Sequence, residues 1–150
     1  MSFTIRPAVA EDRDRIVLFN QALARETEGR ELERAILRKG VERLLRTPDL
    51  GRYFVAEDGE EIVGQIAVTT EWSDWRNGPV WWIQSVYVSR LRRGEGVYRA
   101  LHAFVRELAV AEKAVGLRLY VERDNEVAQQ TYLTLGMMAS DYQMYEEIWS

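Results

Sequence analysis

The stretch WWIQSVYVSRLRRGEGVYRAL, residues 81–101, joins an apolar run to a glycine-containing turn and the start of a helical pattern. Its first part belongs to PVWWIQSVYV (79–88), which is rich in aromatic and β-branched residues and predicts a strand. From Val97 onward, apolar residues recur at spacings of three and four, which predicts a helix. Between the two, Gly94 and Gly96 predict a tight turn whose backbone N–H groups can approach a ligand without obstruction by side chains.

This turn and the helix start are typical of a site for a phosphate. The first N–H groups of a helix have no partner within the helix, and the helix dipole places partial positive charge there. Arg90, Arg92 and Arg93 precede the helix and add full positive charge. We expect the loop to hold a pyrophosphate. A glycine turn beside a solvated basic patch is the alternative that these residues alone leave open.

Two well-known phosphate motifs fit less well. A Walker-type loop needs Gly-Lys-Ser/Thr, and the chain contains none. A dinucleotide-binding fingerprint has a third glycine where Arg99 stands, and it begins directly after its strand. Glu122 ends the next predicted strand, near where a ribose-binding acid would lie, so a dinucleotide-binding domain stays an alternative.

The rest of the chain predicts further strands and helices around this stretch. Asp58-Gly59 is a hairpin signal between two β-rich runs, and Gly116 ends the helix that starts at Val97. Strands are predicted at 3–8, 53–57, 61–72, 117–122 and 141–149, and helices at 12–25, 32–45 and 127–136. This order predicts a single α+β domain over residues 1–150, with a mixed, mostly antiparallel sheet of about six to seven strands and about four helices.

Composition and charge exclude several classes of protein. The 150 residues carry 20 basic and 24 acidic side chains, a net charge of −4, so we expect no nucleic-acid partner. There is no cysteine, which excludes disulfides, thiolate metal sites and a cysteine nucleophile. The single histidine, His102, has no neighbour at ligand spacing, and we expect no metal. Charges in the N-terminal segment and the lack of a long apolar run predict a cytoplasmic protein without a membrane anchor.

RGEGVYRAL resembles the acyl-CoA pyrophosphate loop of the GNAT family of N-acetyltransferases, whose pattern is Gln/Arg-x-x-Gly-x-Gly/Ala. Arg93 and Gly96 match the first two defined places, whereas Tyr98 stands where glycine or alanine is usual. A second motif of the family, Asn-x-x-Ala-x-x-x-Tyr followed by a glycine and an apolar residue, is similar to Asn125, Ala128, Tyr132 and Gly136-Met137. The resemblance extends over the whole predicted order of elements.

This resemblance implies an acetyl-CoA-dependent N-acetyltransferase in which an amine attacks the thioester directly within a ternary complex. It implies that the strand end at Val86, Tyr87 and Val88 binds the pantetheine arm, and that a backbone N–H near Val86 polarises the acetyl carbonyl. The implied cofactor-binding residues continue through the loop as Arg93, Gly94, Glu95, Gly96, Val97 and Tyr98, with Asn125 from the second motif. Tyr132 corresponds to the general acid that protonates the departing thiolate. A non-catalytic module that only binds acyl-CoA is the alternative.

The general base and the acceptor site are less well defined by the residues. Glu71 and Asp74 lie among tryptophans, Trp75 included, in EWSDWRNGPVWW, and a carboxylate near aromatic rings is suited to act as a base or to bind a cation. We expect Glu71 to be the base, acting through water, and Asp74 and Trp75 to contact the acceptor; a hairpin with solvated acids is the alternative. Glu26 and Glu28, between the first two helices, either meet the amine or are solvated helix-end charges. The implied partner is a small-molecule or peptide amine, and a homodimer is possible.

Overall fold

The computed structural model describes residues 2–150. They form two compact units, one from the start of the chain to Tyr120 and the other from Val121 to Ser150. The prediction of one domain over residues 1–150 stays a prediction. Within the described residues, no helix has both the length and the apolar character needed to cross a membrane.

Among the described residues, the first unit contains five strands and three α-helices, and the second contains one α-helix. The strands are β1 (Thr4–Pro7), β2 (Arg52–Asp58), β3 (Glu61–Ser73), β4 (Gly78–Val88) and β5 (Gly116–Arg118). The helices are α1 (Arg13–Glu28), α2 (Arg34–Arg46), α3 (Val97–Ala111) and, in the second unit, α4 (Glu126–Thr134). The predicted α+β class is therefore confirmed.

The strands form one mixed sheet in the order β1-β2-β3-β4-β5. The first four strands pair as antiparallel neighbours. Strand β5 returns through α3 and pairs parallel to β4, but only through Val80, Trp81 and Trp82 of β4. The second half of β4 therefore has a strand neighbour on one edge only among the described residues.

Two hydrophobic cores cover opposite faces of this sheet. Val55 belongs to the core formed with α1 and α2, whereas its neighbours Phe54 and Ala56 belong to the core formed with α3. Neighbouring residues of a strand point to opposite faces, so this alternation places α1 and α2 on one face and α3 on the other. Leu101 and Val105 of α3 have no exposed surface, which anchors the helix that starts at the glycine loop.

Two of the predicted strands are corrected. The prediction of a strand at 117–122 holds only in part, because β5 spans Gly116–Arg118. The predicted closing strand at 141–149 is wrong: that segment has no strand and is exposed throughout. Apolar alternation produces a strand only where a neighbouring strand supplies backbone partners, and none pairs with this segment. The described residues thus form five strands rather than six to seven.

Helix α1 is longer than predicted, and this extension matters for the site. The helix was predicted to end at residue 25, before the polar segment ETEGR (26–30). Instead, α1 continues to Glu28 and ends where Gly29 takes a left-handed conformation, φ 59°. The Gly29 N–H bonds to the carbonyl of Arg25 at 3.1 Å. Glu26 therefore lies on the last helical turn, in a fixed position on the α1 face of the sheet.

Candidate active site

The free edge of β4 presents backbone groups that no other strand uses. The N–H of Ser89 bonds to the carbonyl of Val63 at 2.8 Å, so Ser89 faces β3. In an antiparallel ladder this orientation alternates, so the backbone groups of Val86 and Val88 point away from β3, toward the edge where β5 has ended. Such an edge can accept an extended ligand as an added strand.

A β-bulge sets which side chains of β4 face which core. Val68 pairs with Ile83 and Ala67 pairs with Ser85, so Gln84 is an extra residue without a partner. Before the bulge, Ile83 faces the α3 core; after it, Val88 faces that core and Tyr87 faces α1. Bulges often adjoin active sites because they redirect side chains and backbone groups.

The glycine loop leads directly from this edge to the start of α3. A 3-10 turn at Arg90–Arg92 is followed by Gly94 and Gly96, whose φ angles are 83° and 86°. These angles lie in the left-handed region, where a side chain costs about 1–2 kcal/mol. Gly96 is the N-cap of α3, where no side chain caps the free N–H groups, and the first turn holds no acidic residue. The helix start is thus open to an anion.

Arg92 does not face this opening. Its guanidinium donates to Glu95 at 3.0 Å and to Asp58 at 2.8 Å, and its side chain is only 17% exposed. The expectation that Arg92 helps to bind the pyrophosphate is therefore not supported by its position: Arg92 ties the loop to the β2–β3 hairpin.

Arg93 and Arg90 instead converge on Glu26. Arg93 Nη2 lies 2.8 Å from Glu26 Oε1, and Arg90 Nη2 lies 3.5 Å from Oε2. Arg93 Nε also donates to the Val88 carbonyl oxygen at 3.2 Å, and the Tyr87 hydroxyl donates to Glu26 Oε2. We call Glu26, Tyr87, Arg90 and Arg93 the Glu26 cluster.

Burial and hydrogen bonding set the charge state of this cluster. Burial alone raises the pKa of Glu26, but hydrogen bonds from Tyr87 and Arg93 and the charges of both arginines outweigh it, so the pKa is lowered. Burial, together with the bond to Glu26, raises the pKa of Tyr87. At neutral pH the cluster therefore holds a carboxylate and a neutral phenol.

Sequence reasoning could not identify the Glu26 cluster. Glu26 is 61 residues from Tyr87 and 67 from Arg93 along the chain. Glu28, which the sequence put forward as an acceptor-binding residue, is exposed on the same helical turn. The only signal available was an acidic pair at the end of a predicted helix.

The other predicted acceptor-binding residues lie toward the opposite end of β4. Asp74 and Trp75 are in the turn before Gly78, and Trp75 is 88% exposed. Val86 is near the other end of this strand, and at about 3.3 Å per residue the two groups are more than roughly 20 Å apart. The structure does not bring Asp74 and Trp75 together with the glycine loop.

Glu71, on β3, is engaged by one side chain from β4 and one from β5. Its Oε1 accepts a hydrogen bond from Trp82 Nε1 at 2.6 Å, and its Oε2 lies 3.3 Å from Arg118 Nη1. The Trp82 ring also packs against Tyr120, with ring centroids 5.8 Å apart. Since Trp82 precedes Val86 by four residues, roughly 10 Å or more separate the Glu71 carboxylate from the Val86 N–H.

In the second unit, Asn125 is the N-cap of α4. Its side-chain oxygen accepts a hydrogen bond from the N–H of Ala128 at 3.1 Å, which caps α4. Tyr132 lies on α4, which ends before Gly136, where φ is 97°. Asn125, Ala128 and Tyr132 of the second motif are therefore positioned by a capped helix.

Comparison with known proteins establishes the family. A model described as the acetyltransferase (GNAT) family matches residues 16–137. The chain belongs to the GNAT family. The predicted family is thus confirmed, and the match supports an acetyltransferase domain whose donor is acetyl-CoA.

Solved and curated relatives agree with this GNAT assignment. A possible acetyltransferase from Clostridium difficile 630 is 44% identical, with a TM-score of 0.93 over 100% of this chain and 99% of that one. A probable acetyltransferase is 25% identical, with a TM-score of 0.83 over 98% of both chains. Streptothricin acetyltransferase of Escherichia coli is 30% identical over 77 residues, 51% of this chain and 41% of that protein. The chain therefore matches less than half the length of this curated relative.

One departure from the GNAT pattern has a structural explanation. Tyr98 replaces the usual glycine or alanine in the first turn of α3, where an inward ring would crowd a pyrophosphate. In this chain the Tyr98 ring is partly buried and packs against the core beneath α3. Among the described residues, no group of acidic or histidine side chains could hold a metal ion.

Proposed function

We propose that this protein is an N-acetyltransferase that transfers the acetyl group of acetyl-CoA to a primary amine by direct attack within a ternary complex. The observation that carries the proposal is the continuous path from the free edge of β4, through the glycine loop, to the uncapped start of α3. An extended pantetheine arm fits such an edge, and a pyrophosphate fits such a helix start.

The donor would be held mainly by backbone groups. The carbonyl of Val86 and the N–H of Val88, which point away from β3, would pair with the amides of pantetheine. The pyrophosphate would meet the N–H groups of the loop from Gly94 to Tyr98. Positive φ angles at Gly94 and Gly96 turn the backbone there without a side chain in the way. The family match supports acetyl-CoA as the donor.

In the chemical step, the amine nitrogen bonds to the acetyl carbon and the C–S bond breaks. The N–H of Val86 is our candidate for stabilising the negative charge on the carbonyl oxygen in the transition state. The amine gives up one proton, and the departing thiolate gains one from Tyr132, the residue at the place of the family's general acid. No covalent enzyme intermediate is needed, which agrees with the lack of cysteine.

For the proton that the amine loses, we propose two alternative routes. Glu71 would act through water, as the sequence suggested, and its distance from Val86 would then require several water molecules in a row. In the second route the amine binds in its neutral state and attacks the thioester, and the positively charged nitrogen that results loses its proton directly to solvent. The two routes predict different pH profiles for a Glu71 variant, as discussed below.

For the acceptor, we propose an amine that carries additional positive charge. The chain has a net charge of −4, and exposed carboxylates or aromatic rings at Glu28, Asp74 and Trp75 can attract a cation. The curated relative acts on streptothricin, which places that compound among the acceptors to be tested.

The experiment is an assay of thiol release from acetyl-CoA across polyamines, amino acids, aminoglycosides, short peptides and streptothricin. With no cysteine, the protein itself gives no background with a thiol reagent. We expect release with one class of amine, and a loss of about 100-fold or more in Tyr132→Phe because the thiolate loses its acid.

Tyr145→Phe is the matched control for this assay, since Tyr145 is 90% exposed and lies in the same unit as Tyr132. It should keep full activity. Equal rates in Tyr132→Phe and the wild type would remove Tyr132 from the mechanism. No release with any amine, in a protein that binds acetyl-CoA, would contradict the proposed activity.

A further inference from the structure

Two arginines of the glycine loop are exposed enough to reach a donor phosphate, and both of them form ion pairs with Glu26. Arg93 and Arg90 have side chains that are 45% and 73% exposed, whereas the Glu26 side chain is 23% exposed. Arg92, the third arginine of the loop, is held by Asp58 and Glu95. The two outward-facing cations of the loop are therefore both paired with a single carboxylate.

The place that Arg93 occupies has the composition of a binding site for an organic cation. The guanidinium carbon lies 5.2 Å from the centre of the Tyr87 ring, and Nη2 bonds to Glu26. The Tyr87 ring also packs against Phe19, with ring centroids 5.4 Å apart. A carboxylate beside an aromatic face is a combination that binds guanidinium and ammonium groups.

Glu26 is suited to bind a cation rather than to accept a proton. Hydrogen bonds from Tyr87 and Arg93 lower its pKa despite partial burial, so the carboxylate stays charged at neutral pH. A weakly basic carboxylate of this kind attracts a positive group but does not remove its proton efficiently.

We propose that Glu26 substitutes for the pyrophosphate while the donor is absent and then binds the cationic group of the acceptor. When the pyrophosphate attracts Arg93 and Arg90, the Glu26–Tyr87 site becomes available to a second ammonium or guanidinium group of the amine substrate. The inference rests on the proposed function, because it assumes that the loop binds the donor. The exchange involves ion pairs only, and no covalent bond changes.

This exchange couples the two ligands thermodynamically. The donor must break the ion pairs of Glu26 to recruit the arginines, so removing the carboxylate should strengthen donor binding. An acceptor cation that binds Glu26 after this exchange should, by reciprocity, also strengthen donor binding. If Glu26 had only a structural role, removing its carboxylate would weaken donor binding or leave it unchanged.

The first test compares the affinity of coenzyme A for wild type, Glu26→Gln and Glu31→Gln by titration calorimetry. Glu31 pairs with Arg25, and its side chain is 71% exposed, so Glu31→Gln removes the same charge without touching the loop. We expect Glu26→Gln to bind coenzyme A about threefold to tenfold more tightly, because the variant removes two partly exposed ion pairs that compete with the donor. Glu31→Gln should stay within about twofold of wild type.

Pantetheine, which lacks the pyrophosphate, is the matched control ligand, and its affinity should be the same in all three proteins. Glu26→Asp keeps the charge on a shorter side chain and should fall between wild type and Glu26→Gln. It also keeps the test possible if Glu26→Gln does not fold. Equal affinities of coenzyme A in Glu26→Gln and Glu31→Gln would overturn the proposal.

The second test uses agmatine, which carries an ammonium and a guanidinium group, as the acceptor probe. We expect agmatine to bind the wild-type complex with coenzyme A at least about tenfold more tightly than the free protein, and this difference to disappear in Glu26→Gln. Agmatine that binds both forms equally, or neither, would overturn the proposal. Failure of the wild type to bind coenzyme A at all would instead contradict the proposed function.

Discussion

At Glu71, the local contacts limit what the carboxylate can do. Both oxygens are engaged, one by Trp82 and one by Arg118, and roughly 10 Å or more separate them from the Val86 N–H. These contacts suit a residue that links β3 to β4 and β5. A glutamine can still accept the hydrogen bond from Trp82.

We therefore expect Glu71→Gln to keep kcat/KM within about threefold of wild type and to leave the pH profile unchanged, because the substitution removes only one exposed ion pair. The measurement is kcat/KM for the best amine across pH 6 to 9. A profile that loses its acidic limb in the variant would restore Glu71 as the base.

Other residues show where sequence patterns have predictive limits. The capping role of Asn125 was predictable because it depends on Ala128, three residues away, and a local spacing encodes it. The partner of Arg93 was not predictable, because Glu26 lies on another element and is brought near by the packing of α1 on the sheet. Ion pairs between distant elements have no signature in a single sequence.

At the scale of elements, β4 shows why a strand can be predicted while its faces cannot. WWIQSVYV predicts a strand by composition. A strict alternation would nevertheless place Ile83 and Tyr87 on the same face. The bulge at Gln84 places them on opposite faces, and the resulting position of Tyr87 completes the site on the α1 side. The bulge depends on pairing with β3, so it appears only in the folded sheet.

The glycine loop provides a prediction at this scale. At Gly94 a Cβ would meet no atom within 4 Å, so alanine there tests the left-handed conformation and not a steric clash. We expect Gly94→Ala to weaken coenzyme A binding about 5- to 30-fold, since holding the loop in its present shape costs about 1–2 kcal/mol. Affinity for coenzyme A by titration calorimetry checks this.

Gly40 provides the matched control for Gly94→Ala. It is exposed on α2, a Cβ there would also meet no atom within 4 Å, and its φ is not in the left-handed region. Gly40→Ala should raise the free energy of unfolding by about 0.5–1 kcal/mol and leave coenzyme A binding unchanged. Wild-type affinity in Gly94→Ala would show that the loop does not need this conformation.

At the scale of the whole molecule, the distribution of charge matters more than its sum. The chain is acidic overall, yet three arginines fall within the four residues from Arg90 to Arg93. Each of the three is paired with a carboxylate from outside its own turn: Glu26, Asp58 or Glu95. An acidic protein can thus keep a cationic loop folded in the absence of an anionic ligand.

Stability against acid is also a property of the whole molecule. As the pH falls, we expect the first loss of folding stability to come from protonation of His102. His102 is 4% exposed, and its Nε2 has no hydrogen-bond partner among the described residues. Burial, with a smaller contribution from the charge of Arg106, lowers its pKa. The unfolded chain therefore binds a proton more readily than the folded one. Stability is full above the unfolded pKa of about 6.5 and falls as the pH drops below it.

We expect the free energy of unfolding to fall by up to about 1.4 kcal/mol per pH unit between pH 6.5 and 5, and this slope to be largely absent in His102→Gln. A second loss should follow below about pH 4 in both proteins. Asp12 is buried, but hydrogen bonds from Arg6 and the Val9 N–H outweigh that burial and lower its pKa. The contribution of Asp12 to folding stability is therefore lost only as the pH falls through this lowered pKa. Urea unfolding at each pH measures both stages. The same slope above pH 5 in His102→Gln and in wild type would mean that another group carries the first stage.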